Sequence, residues 1–65
     1  MDQTINQAAV EQFVAGAKGA TVDQVKQVIA RMDGMMARKE CPFLGGQKIN
    51  LATVAEARRR LAEQI

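Results

Sequence analysis

The chain has 65 residues, of which nine are Lys or Arg and seven are Asp or Glu, so its formal net charge at pH 7 is +2. A chain of this length forms one domain, residues 1–65, and buries only about 60% of the surface that its unfolded form exposes. Because it has no histidine and one cysteine, the sequence excludes an internal disulfide and a zinc site, and we expect no metal.

The composition also argues against catalysis and against a membrane. Cys41 has no histidine to act as its base, and the chain contains no serine, so we expect no catalytic residues, no cofactor and no enzymatic activity. The N-terminal residues show no cationic segment followed by an apolar run, and no window approaches 18 apolar residues. We therefore expect no secretory signal, no membrane contact and a cytoplasmic location.

The first predicted helix begins at the tetrapeptide TINQ, residues 4–7. A threonine followed three residues later by glutamine is typical of a capping box, in which each side chain bonds the other's backbone N–H. The predicted helix runs from Ile5 to Ala17 and ends before Gly19, which adopts a left-handed conformation at little cost. Its apolar residues at helical spacing are Val10, Phe13, Val14 and Ala17.

A second capping box, TVDQ at residues 21–24, predicts a helix from Val22 to about Met32. Its predicted buried face comprises Val25, Val28, Ile29 and Met32. Asp33 and Gly34 weaken the pattern, but the two methionines that follow could extend it by one turn. Met35 and Met36 are also suited to an adaptable surface for a protein partner.

The segment VAGAKGATVDQVKQVI, which joins these two helices, has the order of small and β-branched residues expected of a helix-turn-helix. Ala15 is predicted where the helices approach closely and Gly19 in the turn, whereas Lys18 occupies a position that is usually apolar. With the apolar face inward, the second helix presents Asp23, which is unfavourable near phosphate, and five side chains suited to base or phosphate contact: Thr21, Gln24, Lys26, Gln27 and Arg31.

The segment CPFLGGQKINLAT, residues 41–53, predicts a β-hairpin, since Pro42 excludes helix and the Gly-Gly pair permits positive φ. A three-residue loop would pair Phe43 with Ile49 and Cys41 with Leu51, so that Phe43, Ile49 and Leu51 cover the helices, and we favour that register.

A two-residue turn at the same place would set Phe43 opposite Lys48 instead. In a third arrangement Asn50 caps a longer third helix and the glycines form a plain loop. In the favoured hairpin, the tip and outer face present Gln47 and Lys48 to solvent.

The third predicted helix runs from Val54 to Gln64 and begins at the capping box TVAE, residues 53–56. Its apolar stripe comprises Val54, Ala57, Leu61 and Ile65. The three consecutive arginines spread over about 200° of the helix surface, and we expect them to form the ion pairs Glu56–Arg60 and Arg59–Glu63. Arg58 is left as a candidate phosphate or partner contact.

Two passages together resemble a known family: AAVEQFVAGAKGATVDQVKQVIARM and CPFLGGQKINLATVAEARRRL. In order of elements they are similar to the small winged-helix regulators of temperate phages, the Cox and AlpA-like, MerR-type excisionase proteins. Lys18 and the methionine-rich link DGMMARKE depart from the family pattern. The resemblance implies a mainly α fold with a small β-hairpin, that is, a winged helix-turn-helix of three helices and a two-stranded wing.

The same resemblance implies a sequence-specific regulator of double-stranded DNA, acting as a transcriptional repressor, an excisionase (recombination directionality factor) or both. It places Thr21, Gln24, Lys26, Gln27 and Arg31 on the recognition helix and Gln47 and Lys48 on the wing. It further implies a homodimer or higher oligomer on DNA, an integrase as partner, and a location at the nucleoid in the cytoplasm of a bacterial host. The alternative is a small helical protein-interaction module, an inhibitor or assembly factor, that binds no DNA.

Overall fold

Three α-helices and one two-stranded hairpin make up the part of the chain that the computed structural model describes, residues 4–65. In chain order the elements are α1 (Gln7–Gly16), α2 (Val22–Arg38), β1 (Phe43–Leu44), β2 (Gln47–Lys48) and α3 (Leu51–Ala62). The two strands are antiparallel. The predicted fold, three helices with a two-stranded wing, is confirmed.

The core is centred on α3, which packs against both α1 and α2. Val54, Ala57 and Leu61 of α3 are completely buried and form one cluster with Val10 of α1 and Val25 of α2. The predicted apolar stripes of α1 and α2 all contribute to this cluster or pack against it. Ile65 does not, because it lies beyond the end of α3 and is 47% exposed.

Helix α1 begins later than predicted. Its N-cap is Asn6, whose side-chain oxygen accepts from the N–H of Ala9 at 3.2 Å, so the capping box predicted at residues 4–7 is wrong. The backbone N–H of Asn6 donates instead to the hydroxyl of Thr53 at 2.9 Å. The cap itself is therefore local, because asparagine is a preferred N-cap residue, and the bond to α3 adds a tertiary contact at the same position.

The turn after α1 contains Gly19 at φ 82°, as predicted. Ala15, predicted at a close approach of the first two helices, is exposed. Ala17 is buried in its place. The prediction for Ala15 was wrong because the inward face of α1 lies along Val10, Phe13 and Ala17, and Ala15 is on the opposite side of the helix.

Helix α2 has the predicted start but runs six residues beyond the predicted end. Thr21 and Gln24 form the capping box, with bonds of 3.2 and 3.0 Å. Gly34 lies within the helix, which ends where Lys39 adopts a left-handed conformation at φ 56°. Met36 packs against the core, and its burial offsets the cost of about 1 kcal/mol that a glycine imposes on a helix.

The favoured register of the hairpin was wrong. Phe43 pairs with Lys48 and Leu44 with Gln47, and the two glycines alone form the turn, at φ 59° and 78°. Positive φ at both central residues is typical of the tight type I′ turn, whose twist matches that of the strands. The backbone N–H of Ile49 donates to the carbonyl of Pro42 at 2.8 Å and extends the pairing.

This register places Leu44 and Ile49 on the face of the hairpin that contacts the core. Ile49 is 1% exposed and Leu44 packs against the cluster, whereas Phe43 is 71% exposed and covers no helix. Leu51 is the first residue of α3 and is not paired with Cys41. The apolar partner of Ile49 is therefore Leu44, which the favoured register had left facing outward.

Helix α3 starts three residues earlier than predicted, at a cap provided by Asn50. The Asn50 side-chain oxygen accepts from the N–H of Thr53 at 2.8 Å and from its hydroxyl at 2.6 Å. The capping box predicted at residues 53–56 is wrong, because Thr53 lies inside the helix and is fully buried. The arrangement in which Asn50 caps a longer third helix and the glycines form a plain loop is therefore correct about the cap. It is wrong about the glycines, which form the turn of the hairpin.

Thr53→Val is expected to destabilise the protein by about 1–3 kcal/mol. The Thr53 hydroxyl satisfies the N–H of Asn6 and donates to Asn50, and valine keeps the shape but leaves both groups without that partner. Thr53→Ser, which retains the hydroxyl, is the matched control. Chemical denaturation of the three proteins measures the difference, and an equal loss in both variants would contradict the hydrogen-bonding role.

Ion pairs on the surface of α3 differ from those predicted. Arg59 bonds both Glu56 and Glu63, which confirms the Arg59–Glu63 pair, whereas Arg60 pairs with Glu11 of α1 and not with Glu56. Arg60 faces α1, so the neighbouring helix provides its partner. Exposed pairs of this kind contribute at most about 1 kcal/mol each.

Hydrogen bonds from Arg59 lower the pKa of Glu56 from its ordinary value. A carboxylate whose pKa is lower in the folded state stabilises the fold above its unfolded-state pKa, and that stability is lost as the pH falls through the folded-state value.

No helix in residues 4–65 combines the length and apolar character needed to cross a membrane.

Candidate nucleic-acid interface

All seven side chains predicted to contact DNA are exposed: Thr21, Gln24, Lys26, Gln27, Arg31, Gln47 and Lys48. They belong to two elements of the fold. Five lie on or at the start of α2 and two on β2. The seven side chains differ in whether their hydrogen-bonding groups and charges already have partners within the protein. That difference decides which of them can contact a ligand.

The outer face of α2 carries Gln27 between two cations. Successive helical residues are about 100° apart, so Gln27 lies about 160° from the buried Val25. On the same scale Lys26 and Arg31 are about 140° apart on opposite flanks, with Gln27 between them. A groove that received this helix would have Gln27 at its floor and one cation near each wall.

Gln27 has both hydrogen-bonding groups of its amide available, since its side chain bonds to no residue among 4–65. Thr21 and Gln24 differ, because each side chain bonds the other's backbone N–H. A glutamine recognises adenine with its oxygen and its nitrogen together. Gln27 is therefore better suited to base recognition than Gln24, whose oxygen already accepts a bond within the helix cap.

Gln12, which the sequence did not single out, lies beside two grooves, one along α2 and one at the hairpin. It lines a shallow groove of about 500 Å³ between α1 and α2, together with Gln24, Gln27 and Arg31. Gln12 also lines a second groove, of about 250 Å³, with Gln47 of the hairpin. Gln12 thus borders both grooves, although it looks in the sequence like any other exposed residue of α1.

The two wing residues face opposite ways. Side chains alternate between the two faces of a strand, so Gln47 lies on the side of Leu44 and Ile49, next to α1. Lys48 lies on the outer face beside its cross-strand neighbour Phe43. The structure therefore separates Gln47 from Lys48, although the sequence places them next to each other at the tip.

The ion pairs leave a specific set of cations without a carboxylate partner. Within the described part of the chain, Arg38, Arg58, Arg59 and Arg60 each bind a carboxylate. Five cations there have no such partner, namely Lys18, Lys26, Arg31, Lys39 and Lys48. Arg58, kept as a candidate contact from the sequence, is held by Asp33 of α2.

One acidic side chain, that of Asp23, also has no ion pair over residues 4–65, and it lies on the same face of α2 as Gln27, one turn earlier. Asp23 is in the first turn of α2, where a negative charge stabilises the helix. It would repel a nearby phosphate, unless its carboxylate accepts from the N4 amino group of a cytosine.

The same part of the chain presents no arrangement suited to a metal. Cys41 is a free, partly buried thiol, and its neighbour Glu40 is bonded to Arg38. Residues 4–65 contain no cluster of three or more His, Cys, Asp and Glu side chains that could hold an ion.

Comparison of the chain with models of protein families, with curated proteins and with solved structures found no match.

Proposed function

We propose that this protein binds double-stranded DNA in a sequence-specific manner, with α2 as the recognition helix. The observation that carries the proposal is the arrangement on α2, where the unbonded amide of Gln27 lies between two cations, Lys26 and Arg31, that have no ion pair. An α-helix fits the major groove of B-form DNA, which is about 12 Å wide.

In that position each side chain has a distinct role. Gln27 contacts adenine through both groups of its amide: its oxygen accepts from adenine N6 and its nitrogen donates to adenine N7. Lys26 and Arg31, on opposite flanks of the helix, bind phosphates of the two strands and set the orientation of the protein. Gln24 and Thr21 serve mainly to hold the start of the helix, and the amino group of Gln24 remains available as a donor.

The wing adds contacts beside the helix. Gln47 lies next to Gln12, and Gln12 borders the groove that Gln27 and Arg31 line. We assign Gln47 a contact with the duplex that α2 binds. Lys48, on the outer face of the hairpin, supplies a further phosphate contact.

The biological role that we propose follows the resemblance to the Cox and AlpA-like proteins. It is that of a phage-type transcriptional repressor, an excisionase or both, acting at the nucleoid in the cytoplasm of a bacterial host. The functional form on DNA is a homodimer or higher oligomer, and an integrase is the protein partner in the excisionase role.

Gln27→Ala is expected to relax discrimination at one base pair by about 1–3 kcal/mol. The measurement begins with selection of a duplex site by the wild-type protein from random sequences, followed by titration of every single-base variant of that site at constant salt. Gln64→Ala is the matched control, because Gln64 is also exposed but lies beyond the end of α3.

The outcome of the selection decides the proposed function itself. If the wild-type protein selected no duplex site even at low salt, DNA binding would be refuted. If the wild type selected a site but Gln27→Ala discriminated as well as the wild type at every position, Gln27 would not be the residue with which α2 recognises a base.

The alternative, a helical protein-interaction module that binds no DNA, uses the third helix and exposed methionines after the predicted end of α2 to bind a partner. Met36 packs against the core and Met35 is partly buried inside the longer α2. That segment thus offers less exposed apolar surface than fully exposed methionines would, and we place the alternative second.

A further inference from the structure

Phe43 is more exposed than any other large apolar residue of the described chain. It is 71% exposed, against 52% for Val22, 47% for Ile65 and 37% for Ile5. The other phenylalanine, Phe13, packs against the core. Since Phe43 contributes little to the buried core, its exposed ring is not explained by folding.

The hairpin register places this ring beside a cation. Phe43 and Lys48 are directly opposite on adjacent strands, and such neighbours have Cβ atoms about 5 Å apart on the same face. Lys48 forms no ion pair with any residue between 4 and 65. The outer face of the wing therefore presents an aromatic ring and a free ammonium group side by side.

The shape and charge of the wing suit entry into a narrow anionic cleft. Its tip consists of Gly45 and Gly46, and a Cβ built at either glycine would meet no atom within 4 Å. The segment CPFLGGQKIN, residues 41–50, contains no acidic residue. The segment itself therefore carries no negative charge that would repel a phosphate.

We propose, on the basis of the DNA binding proposed above, that Phe43 is an apolar wedge that enters the minor groove and partly unstacks one base step. Minor-groove binders insert apolar side chains in this way and kink the duplex. Lys48 binds the phosphate beside the step that Phe43 opens. Because pyrimidine–purine steps such as TA and CA unstack most readily, the wing selects for deformability at a position where it makes no hydrogen bond to a base.

The test uses the duplex selected by the wild-type protein, labelled at both ends so that energy transfer reports the bend, and measures affinity on the same molecules. Phe43→Ala is expected to lower affinity roughly tenfold and to reduce the bend, with no change in salt dependence. It should also lose the preference for a flexible step over a stiff one at the wedge position. Phe43→Leu, which keeps an apolar wedge, should retain most of the bend.

Lys48→Ala is the contrasting variant. It is expected to weaken binding to all duplexes equally and to lower the slope of log affinity against log salt by about one, while the bend remains. An unchanged melting temperature for Phe43→Ala establishes that its effect is not unfolding, as its exposure predicts.

Each contrary outcome is distinguishable. If Phe43→Ala binds and bends the selected duplex as the wild type does, the wedge is refuted and the proposed DNA binding stands. If Phe43→Ala weakens binding only to single strands, or only alters self-association in sedimentation, the ring has that other role and the wedge is again refuted. If the wild type binds no duplex, the proposed function fails and the wedge fails with it.

Discussion

Replacing Lys26 and Arg31 together by glutamine is expected to weaken duplex binding roughly 60-fold at 0.1 M salt. Each phosphate contact contributes about 0.9 to the slope of log affinity against log salt. Taking 1 M salt as the point where this contribution vanishes, one contact raises the affinity about eightfold at 0.1 M. Two lost contacts should therefore lower the slope by about 1.8. Both side chains are exposed, and neither forms an ion pair within the described part of the chain, so the fold should persist.

The matched control is Lys18→Gln combined with Lys39→Gln, which removes the same two units of positive charge. Lys18 lines a different groove, with Glu11 and Gln64, and Lys39 lies at the end of α2. These cations also have no ion pair over residues 4–65, but they lie away from Gln27. An equal loss of affinity in both double variants would mean that net charge alone attracts DNA, and would contradict a contact face on α2.

Leu61→Ala is expected to destabilise the protein by about 2–5 kcal/mol, the largest effect of any single substitution considered. Leu61 is completely buried where α3 meets the other two helices, and alanine removes its packing and leaves a cavity. A domain of this size has a total stability of roughly 3–10 kcal/mol. The variant should therefore be partly or wholly unfolded at 37 °C.

Ile65→Ala provides the control for loss of an aliphatic side chain at the same end of the molecule. Ile65 is 47% exposed and outside α3, so its replacement should cost less than about 1 kcal/mol. Thermal and chemical denaturation followed by circular dichroism measure both variants. Equal losses would show that Leu61 is not at the centre of the core.

The features that were predicted correctly depend on residues close together in the chain. Helix α2 illustrates this, because Thr21 and Gln24 satisfy each other's N–H groups without help from the rest of the protein. The same holds for the apolar stripes, since a repeat of three and four residues places Val54, Ala57 and Leu61 on one face in any helix. Local chemistry was also sufficient for the existence of the hairpin, because a Gly-Gly pair turns the chain tightly.

The features that were predicted wrongly depend on contacts between distant residues. Both other capping boxes matched the sequence pattern, yet the chain caps α1 with Asn6 and α3 with Asn50, each of which accepts from an N–H three residues on. The contact between distant residues is that of Thr53, whose hydroxyl bonds both Asn6 and Asn50 and so joins the two helix starts. The hairpin register was settled by which apolar side chain meets the core beside Ile49, and Leu44 does so.

For the candidate site, the sequence by itself determined which side chains are polar and exposed on α2 and β2, because amphipathic periodicity determines the outward face of an element. Tertiary structure alone decided that Gln12 borders a groove with α2 and another with the wing, that Arg58 is held by Asp33, and that Phe43 is exposed beside Lys48. The physical reason is that a periodic pattern assigns a residue to a face. Only the packing of one element against another decides which residues lie next to that face, and therefore which of its charged side chains form ion pairs.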